Sequence, residues 1–250
     1  MNMSLSAIVI AKNEEKNIPR CLASLAFADE IVVVDNTSTD TTGHMARAMG
    51  AKVITSSITN NFSALRTVGM DYASGEWFLY IDADEQVTPQ LQKSILKAIK
   101  KNEKQVYYIK RRDNWWGRQL THGEVSTAYR QGIIRLVKKG SGSWKHLVHE
   151  AFNSNYNTKT LSGYLEHYPH PDIASFIESV NRYSSIRAQE LHDKGVQSTI
   201  FSILTYPFGK FIYTYFIKGG FLDGVAGLVY SFMMSFHSFL VRSKLYTMYP

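Results

Sequence analysis

The chain has 250 residues, enough for one large domain or a domain with an appendage, and enough to bury a sizeable core. Its one cysteine, Cys21, excludes an internal disulfide and suits a reducing compartment. The net charge of +7 is concentrated in residues 97–145, which hold 13 Lys and Arg against Glu103, Asp113 and Glu124; this local +10 suggests an anionic partner, whether a phosphorylated substrate, acidic lipid headgroups or nucleic acid, with a solvated basic face as the plain alternative.

The N-terminus, MNMSLSAIVIAKNEE, lacks a basic lead-in and meets charge by Lys12, so it reads as a first strand and not as a signal peptide. LSAIVIA (5–11) is the continuous apolar run of a strand covered on both faces. Asn13 is placed to cap a helix, with Glu14 and Glu15 in its first turn and Ile18, Leu22 and Leu25 on its apolar face. EIVVVD (30–35) is a second strand; a helix follows from Thr39, Asp40 or Thr41 to near Gly50, and KVIT (52–55) is a third strand. Phe62, Leu65, Val68 and Tyr72 make a helical stripe before the strand WFLYI (77–81). Thr88-Pro89 then opens a helix with Leu91, Ile95 and Ile99 facing in. This alternation of strands and helices predicts a βαβ-type sheet.

Beyond residue 100, VYYIK (106–110) and GIIRLV (132–137) read as strands joined by a long loop rich in Trp, Arg and Gly, a length that inside a domain points to function. An amphipathic helix is expected over 172–193, using Ile173, Phe176, Ile177, Val180 and Tyr183. Residues 199–250 set Lys210, Lys218, Arg242 and Lys244 against one acid, Asp223, and hold 14 of the 32 aromatics. FLDGVAGLVYSFMMSFHSFLV (221–241) has one charge in 21 residues and is long enough to span a bilayer. Gly224, Gly227, Ser231, Ser235, Ser238 and Arg242 draw a narrow small-and-polar stripe along it, beside a wide apolar face. With Lys interleaved among the aromatics of 206–218, this favours helices at a membrane surface. A dimer interface, buried core helices and a true spanning helix are the other readings.

The chemistry concentrates at strand ends. In WFLYIDADEQVT, Asp82 and Asp84 are two apart, so in extended chain their carboxylates point to one side. Two uncompensated carboxylates so close repel, and a divalent Mg²⁺ or Mn²⁺ between them is the simplest remedy; a solvated turn is the plain alternative. Asn13-Glu14 and Asp35 end the first two strands, and in an open α/β sheet such ends share one crevice. Acids there suit hydroxyls and a uracil-type imide. There is no G-x-G-x-x-G and no Walker loop. The pairs His146/His149 and His167/His170 raise a zinc reading, which the lack of a nearby cysteine and the intervening Pro169 disfavour; His167 is instead a candidate ligand for the divalent ion. Trp115, Trp116 and Trp144 offer rings to stack on a ligand, and a place in the core is the equal alternative for each.

SAIVIAKNEEKNI, EIVVVDNTSTDTT and NFSALRTVGMDYASGEWFLYIDADE, in that order and spacing, resemble family 2 glycosyltransferases of the GT-A fold. RQGIIRLVKKGSGSWKHLVHE and the closing GFLDGVAGLVYSFMMSFHSFLVRSKLY resemble the branch that includes bacterial lipopolysaccharide-core glucosyltransferases. The resemblance implies an open, mostly parallel twisted sheet flanked by helices, a catalytic domain over 1–198, and membrane-associating helices over 199–250. It implies an inverting transfer of a hexose, glucose first, from a UDP-sugar to a glycan or lipid-linked phosphorylated acceptor, with Mn²⁺ or Mg²⁺ as cofactor. Asp35 would hold the base, Asn13 or Glu14 the base or ribose, and Asp82-Ala83 the ribose side. Asp84 would be the principal metal ligand, joined by Asp82 and His167, and Arg66 would meet the pyrophosphate. Position 36 is Asn where many relatives have a second acid, which weakens a base contact there. Glu150 in SWKHLVHE is the expected general base, with Glu124 and Asp113 as alternatives. Trp115, Trp116, Glu124 and Trp144 would face the acceptor. The enzyme would sit peripherally on the cytoplasmic face of a bacterial inner membrane, touch its anionic surface, and self-associate, if at all, through the C-terminal helices. A nucleotidyltransferase should show a glycine-rich loop after the first strand, and AKNEEKN has no glycine. A non-catalytic nucleotide-sugar-binding membrane module is the third reading. Acids lining the crevice argue against nucleic acid.

Overall fold

The strand Leu5–Ala11 (β1) buries all seven of its residues, because neighbouring strands flank both its edges and helices cover its faces. A computed structural model describes residues 4–59, 61–145 and 151–249. The chain divides into two units, one of residues 1–112 with Arg130–His167, the other of Asp113–Tyr129 with Tyr168–Pro250.

In the first unit, β1 pairs in parallel with Glu30–Asp35 (β2) on one edge and Trp77–Asp82 (β4) on the other, and Lys52–Thr55 (β3) extends the sheet beyond β2. Helices Ile18–Ala23 (α1), Thr42–Ala48 (α2) and Phe62–Tyr72 (α3) connect these strands. After the short strand Glu85–Val87 (β5) comes Pro89–Lys101 (α4), capped by the Thr88 hydroxyl and buried through Leu91, Ile95 and Ile99 as expected. The second half is antiparallel: Gln105–Trp115 (β6) and Ile133–Lys138 (β8) carry the sheet past β4, and Asn157–His167 (β11) pairs with β5. The order is β3-β2-β1-β4-β8-β6-β11-β5, a mixed sheet, parallel only in its βαβ half. Gly142–Lys145 (β9) and Ala151–Ser154 (β10) form a separate hairpin that joins Trp144 to Phe152.

Three local expectations need correction. Asn13 does not cap α1; it sits in the left-handed region at φ 56°, which Asn tolerates, and the helix begins after Asn17. Tyr72 is exposed, and α3 instead buries Leu65, Arg66 and Gly69. The long aromatic loop is mostly ordered: β6 runs on to Trp115, turns at Trp116-Gly117 and returns as Arg118–Leu120 (β7), followed by a 3-10 turn at Gly123–Val125 and Ser126–Arg130 (α5).

The second unit contains that hairpin and three long helices, Ile173–Asp193 (α6), Ile200–Ile212 (α7) and Gly224–Thr247 (α8). Asp172 and Thr199 open α6 and α7 with capping boxes, each completed by a serine three residues on. Trp115, fully buried, centres its core among Leu120, Phe176, Val180 and Met233. Ile173 and Ile177, expected to face in, are exposed, and Ser184 and Ala188 are buried instead.

Gly69 fixes how closely α3 approaches the sheet: a Cβ there would lie 2.3 Å from Ile8 Cγ2 and 3.2 Å from Val34 Cγ2. Alanine would gain about 1 kcal/mol of helix propensity but overpack the core by about 1–3 kcal/mol. Gly69→Ala is therefore expected to lower the thermal unfolding midpoint, measured by circular dichroism, although alanine is the better helix former.

Candidate active site at the carboxyl end of the parallel strands

Asp82 ends β4, and β5 begins three residues later at Glu85, so the chain turns tightly through Asp82-Ala83-Asp84. The turn is tied from within: the Asp82 N–H donates to Glu85 Oε2 at 3.0 Å, and the Ala83 N–H donates to the Ile10 carbonyl at 3.2 Å. Two arginines hold the Asp82 carboxylate. Arg66 of α3 donates through Nη2 to Oδ1 at 2.9 Å, and Arg135 of β8 donates through Nη2 to Oδ2. The same Arg135 Nη2 reaches Glu85 Oε1 at 3.0 Å, and Arg111 Nη1 lies 3.7 Å from that oxygen. Glu85 is completely buried, and Arg66 and Arg135 nearly so. Burial opposes ionisation of Asp82, but Arg135 and Arg66 outweigh it and hold its carboxyl well below the usual carboxylate range. For Glu85 burial prevails and raises the pKa despite Arg135.

Asp84, two residues on, meets a different partner. His167, at the end of β11, places Nε2 3.2 Å from Asp84 Oδ2, because β11 pairs with β5 and sets His167 opposite Glu85. Burial again opposes ionisation, and His167 lowers the Asp84 pKa by charge and hydrogen bond. Glu14 belongs to the same electrostatic group: burial first, then the Asp84 charge, raises its pKa to about 7. Asn17 Nδ2 donates to Glu14 Oε2 at 2.7 Å, and the Glu14 N–H donates to Thr42 Oγ1 at 2.7 Å.

Asp35 is buried at the end of β2 and accepts the Ser38 N–H at 3.0 Å. Its neighbour Asn36 spends its amide on the Ser56 and Ile58 carbonyls, at 3.0 and 2.6 Å, a backbone-anchoring task. Asn13 bridges the loops after β1 and β2: its Oδ1 accepts the Thr39 N–H at 2.8 Å, and its N–H donates to Ser38 Oγ at 3.0 Å. Trp144 stands behind Arg66, its ring 5.0 Å from the guanidinium carbon and edge-on to Tyr80.

The other expected residues belong to the second unit or fall outside the described residues. Trp115 is buried in the second unit, stacked on Trp116, whose own ring is 46% exposed. Glu124, in the same unit, accepts from Lys210 Nζ at 2.9 Å. Asp113, also in that unit, is buried. Glu150, with His146 and His149, lies outside the described residues. Sequence reasoning missed Arg135, Arg111 and Glu85. The signal was present in GIIRLV, where a charge interrupts an otherwise apolar strand and must find a buried counter-charge.

Among the described residues no three His, Cys, Asp or Glu side chains are grouped to cage a metal. The pair Asp84 and His167 nonetheless fits a divalent Mn²⁺ or Mg²⁺ of the substrate-assisted kind, which takes few protein ligands and fills its shell with phosphate oxygens and water. Asp82 is occupied differently, since both its oxygens accept from guanidiniums.

Comparison with known proteins places the chain in a family and a fold. The model of the family described as "Glycosyl transferase family 2" matches residues 6–180. An uncharacterized glycosyltransferase of Rickettsia typhi is 30% identical over 96% of this chain and 86% of its own. The lipopolysaccharide core biosynthesis glycosyltransferase LpsC of Rhizobium meliloti is 25% identical over 98% of this chain and 92% of its own. Among solved structures, residues 1–349 of S. aureus TarS, crystallised with UDP-GlcNAc, superpose with a TM-score of 0.53 at 18% identity, over 94% of this chain and 81% of that one. Against the longer TarS chain, this chain spans 46% of the length. The TarS likeness bears on the fold, which is the expected GT-A arrangement. With acids gathered at the ends of β1, β2 and β4, and a family match running from β1 into α6, the chain belongs to glycosyl transferase family 2.

Proposed function

We propose that this glycosyltransferase moves a hexose, glucose first, from a UDP-sugar to a hydroxyl of a lipopolysaccharide-core or related cell-surface glycan, with inversion at the anomeric carbon. The observation that carries the reading is the β4 terminus, where arginines hold Asp82 while Asp84 and His167 face each other within reach of Glu14. The likeness to LpsC supports the acceptor class.

In this reading Asp35 accepts the imide N–H of uracil, and Asn13 and Glu14 border the base and ribose. Glu14, its pKa raised to about 7 by burial and the Asp84 charge, holds its proton to higher pH than an ordinary glutamate and can donate when protonated as well as accept. Asp82, fixed by Arg66 and Arg135, and the Ala83 backbone line the ribose side. Asp84 and His167 would hold a divalent cation, which when bound neutralises charge on the departing diphosphate. Arg66 and the basic residues of 97–145 serve the phosphates of donor and acceptor. Glu150 takes the proton of the acceptor hydroxyl as the bond from that oxygen to C1 forms and the bond from C1 to UDP breaks. Trp144, beside Arg66, offers its ring to the acceptor sugar. Catalysis rests with 1–198, and residues 199–250 serve the cytoplasmic surface of a bacterial inner membrane.

A thermal-shift screen of nucleotide sugars tests the donor: UDP-glucose with Mn²⁺ should raise the melting temperature most, and Asp84→Asn should remove the Mn²⁺-dependent part of that shift. A larger shift with another sugar nucleotide reassigns the donor. Glu150→Gln should keep the donor-induced shift and lose transfer by about a hundredfold or more, read as UDP release in the presence of acceptor; transfer within a few-fold of wild type would assign the base elsewhere. Ionising Glu14 costs folded-state stability, because its folded pKa lies above the unfolded value near 4.5: the cost is absent below pH 4.5 and complete above pH 7. Glu14→Gln in EDTA should therefore melt like wild type near pH 5 and above it near pH 8, measured by calorimetry.

A further inference from the structure

In the second unit α8 turns Gly227 and Ser231 of its small-and-polar stripe inward, together with Ala226, Met233, Val241 and Leu245, and leaves other large apolar residues outward. Gly227 and Ser231 of α8 are buried, and a Cβ on Gly227 would sit 1.9 Å from the Gly220 carbonyl oxygen. Ser235 Oγ donates to the Pro207 carbonyl of α7 at 2.8 Å. The outward side bears Phe201, Leu204, Phe208, Leu222, Val225 and Phe232, each between 61% and 76% exposed. The helical stretch Gly220–Thr247 is long and apolar enough to cross a membrane, yet only 28% of its apolar window is buried, where a core helix of that composition would be mostly covered.

Packing within the unit argues against a crossing. α8 lies against α6, and near its end Lys244 Nζ donates to the Asn181 carbonyl, Asn181 Oδ1, Ser184 Oγ and Ser185 Oγ at 2.7–2.9 Å. α6 exposes Glu178, Arg182 and Asp193. A spanning α8 would carry those charges into hydrocarbon.

Charge selects what covers the face. Between Thr199 and Pro250 there are four basic residues and one acid, Asp223. Asp223 occupies the N-cap position of α8 but makes no cap bond; its carboxylate accepts the Thr121 and His122 N–H groups at 3.0 and 2.9 Å and lies 2.8 Å from His122 Nδ1. Two copies apposed through residues 199–250 would bring these cations together with no available acid of the same segments to meet them, whereas phosphate headgroups supply the anions. Arg242 lies 3.9 Å over the Tyr206 ring and Lys218 5.2 Å over Tyr213, pairing a ring that tolerates the acyl boundary with a cation that stays wet.

We propose that α7 and α8 lie in the plane of an anionic bilayer, on one leaflet, with Phe201, Leu204, Phe208 and Phe232 sunk to the acyl boundary. This deepens the membrane part of the proposed function and rests on it, but needs neither donor nor turnover. The test is flotation of the full chain with phosphatidylglycerol–phosphatidylcholine vesicles and with phosphatidylcholine alone, comparing wild type with Phe201→Gln/Leu204→Gln/Phe208→Gln/Phe232→Gln. Wild type should float with the anionic vesicles and more weakly with the neutral ones, and the variant should lose at least about tenfold in partitioning while keeping its melting curve and its nucleotide-sugar shift. Cys21 is buried, so single cysteines placed by Lys218→Cys and Thr247→Cys report cleanly to an impermeant maleimide, and both should label from outside sealed vesicles. A wild type that fails to float, a variant that floats equally well, a dimer that the variant breaks without any vesicle binding, or labelling of the two cysteines from opposite sides would each overturn the proposal. Loss of the nucleotide-sugar shift with flotation intact would instead count against the enzyme reading alone.

Discussion

Arg135 holds two carboxylates of one tight turn from a neighbouring strand, and the geometry of the first unit's site depends on it. A guanidinium suits this task because its planar fork presents several donors at fixed angles. Burying such charges costs desolvation that their mutual attraction barely offsets, so the network contributes little to net stability. Its contribution is orientation. With Glu85 drawn under the turn by Arg135 and by the Asp82 N–H, the next carboxylate along, that of Asp84, meets His167.

The site thus sorts its acids by partner. Asp82 is compensated by two nearly buried arginines, Asp84 by an imidazole, and Glu14 by an amide alone, and their pKa values diverge accordingly, downward for the first two and upward for the third. Chemically similar groups thus acquire different protonation behaviour from their neighbours, although all three lie at the same end of the sheet. Gly69 serves the same end at the level of packing, since the close approach of α3 to Ile8 sets the helix that carries Arg66.

The second unit is organised by a different economy of side chains. Small residues on α8 allow close packing against its neighbours, Met233, Val241 and Leu245 are buried with them, and Val225, Leu228, Phe232 and Phe239 are left for the outside. The hairpin that sequence periodicity read as a loop supplies Trp115 to the centre of this unit, where Phe176 and Tyr230 meet it edge-on.

Much of this was legible in the linear pattern. Apolar runs of strand length and helical stripes, punctuated by a helix start such as Thr88-Pro89, marked β1 to β4, α1 to α4, the first part of β6, β8 and α6, because local propensity and the switch between periods of 2 and 3.6 are local properties; the short strands β5, β7, β9 and β10, and β11, left no such mark. The acids at the ends of β1, β2 and β4 were legible for the same reason: a charge that closes an apolar strand must lie at a rim. What tertiary structure alone decided is which charges meet. Arg135 and Asp82 are 53 residues apart, and Asp84 and His167 are 83 apart in the chain, and no period links them. Only antiparallel pairing of β8 with β4 and of β11 with β5 brings them together, and pairing across such separations is settled by the whole sheet at once. The same holds for the C-terminal stripe: composition showed that one side of α8 was small and polar, but only its packing on α6 and α7 showed that this side faces inward.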